Sequence, residues 1–419
     1  MNLHLQPSKV NPQSEIKITG SKSETNRLLL LQALYPNITL ENASNSDDSE
    51  VMSKALLQDS KSQLPTPKSQ LIDIHHAGTA MRFLTAYFAT QENREVIITG
   101  SARMKERPIK ILVEALQQLG AEISYEENNG FPPIRIKGKK LSNSRVSLSS
   151  DISSQYISAL LLIAPKLENG LKLTLEGKIT SVPYIKMTLA LLNEIGVETS
   201  FVENTITVNP LLTPNSKLLT VESDWSSASY FYSIVALSET GNQIKLSSYK
   251  KNSLQGDSAL IEIYKNLGVE TTFKNNTILL TKIENFHLPS SNFQLDLNDS
   301  PDIAQTIAVT CFGLGIGCHL TGLHTLKIKE TDRLEALKTE LTKLGATIYV
   351  TNNSLTLEAS SQVNSNIAIA TYNDHRMAMA FAPLALKTDL IINNAEVVSK
   401  SYPDFWEDLK TIGFSISTQ

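Results

Sequence analysis

The sequence predicts an α/β protein made by duplicating one βαβ-type unit, with six copies arranged in two groups. Three observations carry this expectation. A glycine-centred phrase recurs at a near-constant period, a set of polar helix openings recurs beside it, and 419 residues with 41% hydrophobic content are enough for two or three domains with sizeable cores.

The phrase is the end of an amphipathic helix, an apolar residue, Gly, and a short β-prone strand. It reads Leu119-Gly120-Ala121-Glu122-Ile123, Ile195-Gly196-Val197-Glu198-Thr199, Leu267-Gly268-Val269-Glu270-Thr271, Leu344-Gly345-Ala346-Thr347-Ile348 and Ile412-Gly413-Phe414-Ser415-Ile416, with the glycines 68 to 77 residues apart. Gly just past a helix tolerates a left-handed backbone and is the expected C-terminal cap. Any α/β protein has a few such ends, but five at this period point to duplication. A degenerate sixth copy is expected over Ser49–Ile74, where the helix-like stretch Val51–Leu57 lacks the Gly.

The helix openings follow in chain order: Ser21-Lys22-Ser23-Glu24, Ala77-Gly78-Thr79-Ala80, Asp151-Ile152-Ser153-Ser154-Gln155, Asp224-Trp225-Ser226-Ser227, Ser300-Pro301-Asp302 and Asn373-Asp374-His375-Arg376. Ser, Thr and Asp here are N-cap residues, and Ser21 with Glu24 fits a capping box. Pro301 fits the first helical position, where a missing N–H costs nothing. Most capped starts only cap helices. Those that also carry Lys, Arg or paired Ser can bind anions on their free amides.

Composition excludes several functions. Lys plus Arg number 38 and Asp plus Glu 42, a net charge of −4, which argues against nucleic acid or an anionic membrane as partner. Two cysteines, Cys311 and Cys318, rule out a disulfide framework; on a helix-like apolar stretch they read as inert core thiols. No His/Cys/carboxylate spacing fits zinc, so no metal is expected. Gly313-Leu314-Gly315-Ile316-Gly317 has the wrong spacing for a nucleotide loop and reads as close helix packing. The N-terminus lacks a charged region followed by an apolar core, and Ile303–Cys318 is too short to span a bilayer. A cytoplasmic monomer without cofactor is expected.

Five strings go beyond fold signals: Gly20-Ser21-Lys22-Ser23-Glu24-Thr25-Asn26-Arg27, Ala77-Gly78-Thr79-Ala80-Met81-Arg82, Arg103-Met104-Lys105-Glu106-Arg107-Pro108, Lys327-Ile328-Lys329-Glu330-Thr331-Asp332-Arg333 and Asn373-Asp374-His375-Arg376, followed by Lys400 in Val398-Ser399-Lys400-Ser401-Tyr402-Pro403. Any one alone would read as a solvated charged face. Together and in this order they resemble the enolpyruvyl transferase family, and within it the members that act on shikimate 3-phosphate. The resemblance runs from Ser21 to about Trp406.

That resemblance implies two similar domains, each of three βαβαββ units, with the active site at the interdomain cleft. One domain would cover 21–222 and the other 1–20 with 223–419. The implied reaction moves the enolpyruvyl group of phosphoenolpyruvate to the 5-hydroxyl of shikimate 3-phosphate, on the way to chorismate and the aromatic amino acids. Both substrates carry a carboxylate and a phosphate, which Arg grips bidentately and Lys meets as a point charge.

Carried over position by position, Lys22, Ser23, Arg27, Ser153, Ser154, Gln155, Ser181, Tyr184, Asp302 and Lys329 would hold shikimate 3-phosphate. Lys22, Gly78, Arg107, Gln155, Arg333, Arg376 and Lys400 would hold phosphoenolpyruvate. Asp302 corresponds to the general base, Glu330 to the proton-transfer residue at the methylene carbon, and Lys22 to a further catalytic residue. Asp302 also reads simply as a carboxylate favourably placed in a helix's first turn. Three positions depart from the family: His76 and Thr325 stand where Asn is frequent, and Phe83 where Pro is common. The alternatives are the sister transferase acting on UDP-N-acetylglucosamine and an inactive anion-binding protein on the same fold. The sister usually has a reactive Cys in the loop that here reads Arg103-Met104-Lys105-Glu106-Arg107, and an inactive protein would lack Asp302, Glu330 or the arginines.

Overall fold

All five phrase glycines end a helix with positive φ: 102° at Gly120, 98° at Gly196, 83° at Gly268, 101° at Gly345 and 110° at Gly413. Behind the first, Ala121 N–H bonds back to Leu116 O at 2.9 Å. Behind the last, Phe414 N–H bonds to Leu409 O at 3.0 Å. These are the six-to-one bonds of a Schellman cap. A computed structural model describes residues 1–61, 69–149, 153–177, 179, 182–214, 217–284 and 293–419. It divides into two units, Met1–Gly20 with Glu222–Gln419, and Ser21–Val221.

One sheet plan repeats in both. In Ser21–Val221, Arg145–Ser149 runs parallel to Leu171–Glu176, and a Thr199–Val202/Thr205–Val208 hairpin adds antiparallel to the latter. Gln70–Asp73, Glu95–Thr99, Glu122–Tyr125 and Ile134–Lys137 form the same four-stranded order. The other unit holds three more. One is Phe293–Asp296, Cys318–Thr321, Leu355–Leu357 and Ile348–Val350. In the second, Gln13–Ile16 is the parallel partner of Gln243–Ser247. In the third, Leu3–Leu5 lies between Leu390–Ile392 and Ile416–Thr418. Each parallel pair needs a helical crossover, which gives the βαβ part of the repeat. The hairpin turn Asn275-Asn276, with φ of 48° and 57°, suits the twist of its flanking strands.

The sixth copy is reduced. Among the described residues its sheet has two strands, Lys217–Thr220 parallel to Ile38–Glu41, accompanied by helices Lys22–Leu34 and Asp47–Lys61. The expected span of this copy, Ser49–Ile74, crosses two copies, because Gln70–Asp73 belongs to the next sheet. Part of that span, 62–68, lies outside the described residues.

The helices divide by sequence into two kinds. Those that follow the first strand of a copy are apolar or small all round and are therefore buried. Gly78–Ala89 is buried except at Thr79, Ser154–Ile163 except at Gln155, Trp225–Leu237 except at Ser226, and His375–Phe381 except at Arg376. In every case the exception is the helix's second residue. Ser23 holds the same place in Lys22–Leu34, and Asp302 in the 3₁₀ turn Pro301–Ile303 that leads into Ala304–Leu314. The remaining helices are amphipathic; Lys110–Gln118, for instance, buries Leu112, Val113, Ala115 and Leu116. Duplication thus delivers one polar side chain per copy from the start of a rigid inner helix.

Two local expectations need correction. Ser21 caps Lys22–Leu34 by position, but its side chain makes no capping bond, so the reciprocal capping box is incomplete. Cys318 opens a strand rather than extending the helix that carries Cys311, although both thiols are free and buried. Pro301 does occupy the first turn. Gly313 marks close packing, since a Cβ there would lie 2.8 Å from both Leu237 Cδ2 and Leu384 Cδ2.

Candidate functional site

Asp302 organises the cluster in the unit that contains both termini. Its Oδ1 lies 3.4 Å from Lys329 Nζ and 3.0 Å from Arg333 Nη1, and its Oδ2 lies 3.3 Å from Arg376 Nη2. Arg376 Nη1 also donates to Asp302 O at 3.1 Å, and its Nη2 to Ser226 Oγ at 3.3 Å. Arg333, with only 2% of its side chain exposed, donates from Nε to Asp374 Oδ2 at 2.6 Å and from Nη2 to Glu330 Oε2 at 2.8 Å. Asp374 in turn caps His375–Phe381 by accepting from Arg376 N at 2.9 Å. Lys400 Nζ donates to Asn373 O at 2.6 Å, tying down a turn in which Tyr372 and Asn373 have φ of 52° and 53°.

Burial alone would make Arg333 less basic. Asp374, Glu330 and Asp302 more than offset it, so its pKa is raised, and Arg376 is raised in the same way by Asp302. Both guanidiniums are firmly charged. Asp257, which accepts a hydrogen bond from Ser226 Oγ, is pushed up to about 6 by burial and by Asp302.

In Ser21–Val221 the expected residues gather at the starts of three helices. Lys22 Nζ pairs with Asp48 Oδ2 at 3.3 Å, and His76 Nε2 stands 4.0 Å from Asp48 Oδ1. Gln155 Nε2 donates to Thr79 Oγ1 at 3.1 Å, and Ser153 caps its helix by accepting from Gln155 N. Ser154 is buried behind it. The Arg107 guanidinium lies over Gly78, so close that a Cβ there would be 2.7 Å from Nη1. Arg82 braces this corner, donating to Gly78 O at 3.0 Å and Pro108 O at 3.4 Å.

Arg27 sits deeper than an anion clasp at the surface would. Its Nε, Nη1 and Nη2 donate to Thr188 Oγ1, Ser23 O and Ser158 Oγ at 2.8, 2.7 and 3.0 Å. The guanidinium lies over the rings of Phe83 at 5.5 Å and Tyr184 at 5.9 Å, and burial lowers its pKa to about 10. Phe83, one of the three departures, thus supports Arg27 directly. Ser181 lies outside the described residues.

Sequence reasoning missed Asp48, Asp257 and Arg82 as supporting groups. Asp374 was visible as a cap but not as the partner of Arg333. Asp48 lies in an acidic helix start, Asp47-Asp48-Ser49-Glu50, and Asp257 follows Gly256, neither beside a cation in sequence; only the fold brings them to Lys22 and Ser226.

The sequence model of the EPSP synthase (3-phosphoshikimate 1-carboxyvinyltransferase) family matches residues 7–409. The 3-phosphoshikimate 1-carboxyvinyltransferase of Bacteroides fragilis (strain YCH46) is 46% identical over 98% of this chain and 97% of its own length. That of Shewanella pealeana is 35% identical over 98% and 99%. The solved EPSP synthase of Acinetobacter baumannii superposes with a TM-score of 0.79, covering 100% of both chains at 21% identity, which bears on the fold. With the sheet plan, the inner-helix starts and these relatives in agreement, the chain belongs to the EPSP synthase (3-phosphoshikimate 1-carboxyvinyltransferase) family.

Proposed function

We propose that this chain transfers the enolpyruvyl group of phosphoenolpyruvate to the 5-hydroxyl of shikimate 3-phosphate and releases phosphate. The observation that carries the reading is Asp302 held against Lys329, Arg333 and Arg376: a candidate base among cations suited to two doubly anionic substrates. Asp302 takes the proton of the 5-hydroxyl, and Glu330 supplies a proton to the methylene carbon of phosphoenolpyruvate. The adjacent carbon becomes electrophilic, and the 5-oxygen adds to it. Loss of a methyl proton and of phosphate from the tetrahedral intermediate restores the double bond. Lys22, Gly78, Arg107, Gln155, Arg333, Arg376 and Lys400 hold phosphoenolpyruvate, and Lys22 assists its proton transfer. Shikimate 3-phosphate is held by Lys22, Ser23, Arg27, Ser153, Ser154, Gln155, Ser181, Tyr184, Asp302 and Lys329.

Phosphate release from phosphoenolpyruvate tests this. It is expected with shikimate 3-phosphate and absent with UDP-N-acetylglucosamine; the reverse pattern would move the chain to the sister reaction, and no release with either acceptor would leave an anion-binding protein.

A further inference from the structure

The six inner helices present Ser23, Thr79, Gln155, Ser226, Asp302 and Arg376 at one equivalent position. The proposed function uses Ser23, Gln155, Asp302 and Arg376 as ligand groups and leaves Ser226 without a role. Ser226 has one hydroxyl proton, which it donates to Asp257 Oδ2. Its lone pairs are thereby left facing Arg376 Nη2 at 3.3 Å. Asp257 is 5% exposed and lies on the 3₁₀ turn Gly256–Ala259. Gln255 fastens that turn to the helix start, accepting from Trp225 N at 2.9 Å and donating to Ser223 O at 2.9 Å.

We infer that Asp257 is a positioning residue: through the Ser226 hydroxyl it fixes the Arg376 guanidinium for phosphoenolpyruvate, and its charge state sets how firmly. The inference rests on the proposed function, in which Arg376 binds that substrate. The charged or titratable groups facing Asp257 are Arg376 from His375–Phe381, Asp302 from Pro301–Ile303 and Asp224 from the cap of Trp225–Leu237. Burial and the Asp302 charge raise its pKa to about 6, while Arg376 and the Ser226 hydrogen bond pull it down. Below that pH the carboxyl becomes a donor. It then competes for the Ser226 oxygen, and the hydroxyl proton can turn toward the Arg376 cation.

The test is steady-state kinetics of the full chain and of Asp257→Asn, Asp257→Glu and Ser226→Ala from about pH 5.5 to about pH 8.5, each with a thermal melt. In the wild type the KM for phosphoenolpyruvate should rise as pH falls through about 6. In Asp257→Asn and Ser226→Ala that rise should shrink to what the titration of the substrate's own phosphate, itself at about pH 6, produces. At pH 8 their KM for phosphoenolpyruvate should be roughly tenfold higher, as expected for loss of one hydrogen bond to a charged group. The KM for shikimate 3-phosphate should hold, and Asp257→Glu should recover part of the effect. A rise in both variants as large as in the wild type overturns the inference. So does an equal rise in both KM values with a lowered melt, which would show structural support alone. If Asp257→Asn fails to fold, Ser226→Ala decides by itself. Absence of wild-type turnover with shikimate 3-phosphate would remove the proposed function and the inference with it; turnover with unchanged variants removes only the inference.

Discussion

Arg333 could not occupy its site as a lone cation. An uncompensated buried charge costs several kcal/mol, and the residue is 2% exposed with three carboxylates around it, of which Asp374 is itself fully buried. The same arithmetic gives Asp302 a structural duty besides the proposed chemical one, because it faces three cations. Replacing Asp302 by Asn, or Glu330 by Gln, should lower turnover by about 10²- to 10⁴-fold, the usual worth of positioned proton transfer. Asp302→Asn should also lower the melting temperature, since Lys329, Arg333 and Arg376 lose counter-charge. Near-full turnover in Asp302→Asn would leave it a charge anchor, and the base would lie elsewhere. Gly78 makes a separate test. A methyl group there collides with the far end of the Arg107 side chain, which can swing away, so Gly78→Ala should change stability little. It should raise the KM for phosphoenolpyruvate while leaving that for shikimate 3-phosphate nearly unchanged. Equal effects on both would detach Arg107 from the role proposed for it.

The element that organises the protein is an inner helix polar at its second residue and, in four copies, buried everywhere else. The start of the inner helix and the end of the amphipathic helix obey local chemistry, so both are readable: Ser, Asp or a neighbour of Pro at the former, and glycine at the latter. The glycines can be tested in pairs within one unit. At Gly345, with φ 101°, an added Cβ meets only the Asn364 side chain at 3.4 Å. Gly345→Ala should therefore cost little beyond the left-handed backbone, roughly 1–2 kcal/mol. At Gly413, with φ 110°, the Cβ would lie 2.5 Å from Lys9 O, a backbone atom. Gly413→Ala should cost distinctly more, as read from denaturant midpoints; equal losses would show that the segment around Lys9 yields freely. What depends on long-range pairing was not readable. Nothing local says that Leu3–Leu5 completes a sheet with Leu390–Ile392 and Ile416–Thr418, or that Gln13–Ile16 joins Gln243–Ser247. The capping box lacks its Ser21 half, because the Ser21 side chain makes no bond to the helix start. The cationic site residues were legible as dense short strings. Asp48 and Asp257, which restrain Lys22 and Ser226, were not, because each reaches its partner only through the fold.

For the whole molecule, net charge and local charge point in opposite directions. The chain carries −4, which as a diffuse charge repels two anionic substrates. Lys329, Arg333, Arg376 and Lys400 in one unit and Lys22, Arg27 and Arg107 in the other are concentrated at helix starts and adjoining turns. Screening decides between them, since at 0.1 M salt the Debye length is about 10 Å. Charge spread over a 419-residue protein is then largely masked, while cations in contact with a bound phosphate or carboxylate are masked far less. Local charge should govern binding, though added salt must still weaken it by competing for the same cations. Raising NaCl from about 50 mM to about 500 mM should therefore raise the KM of both substrates steadily. The kcat should change less, because proton transfer between positioned groups creates little charge separation from bulk solvent. A KM that falls with salt would mean that the −4 field dominates encounter and that the cationic strings contribute little to binding. That result would undercut the assignment of Arg107, Arg333 and Arg376 together, which no single substitution can do.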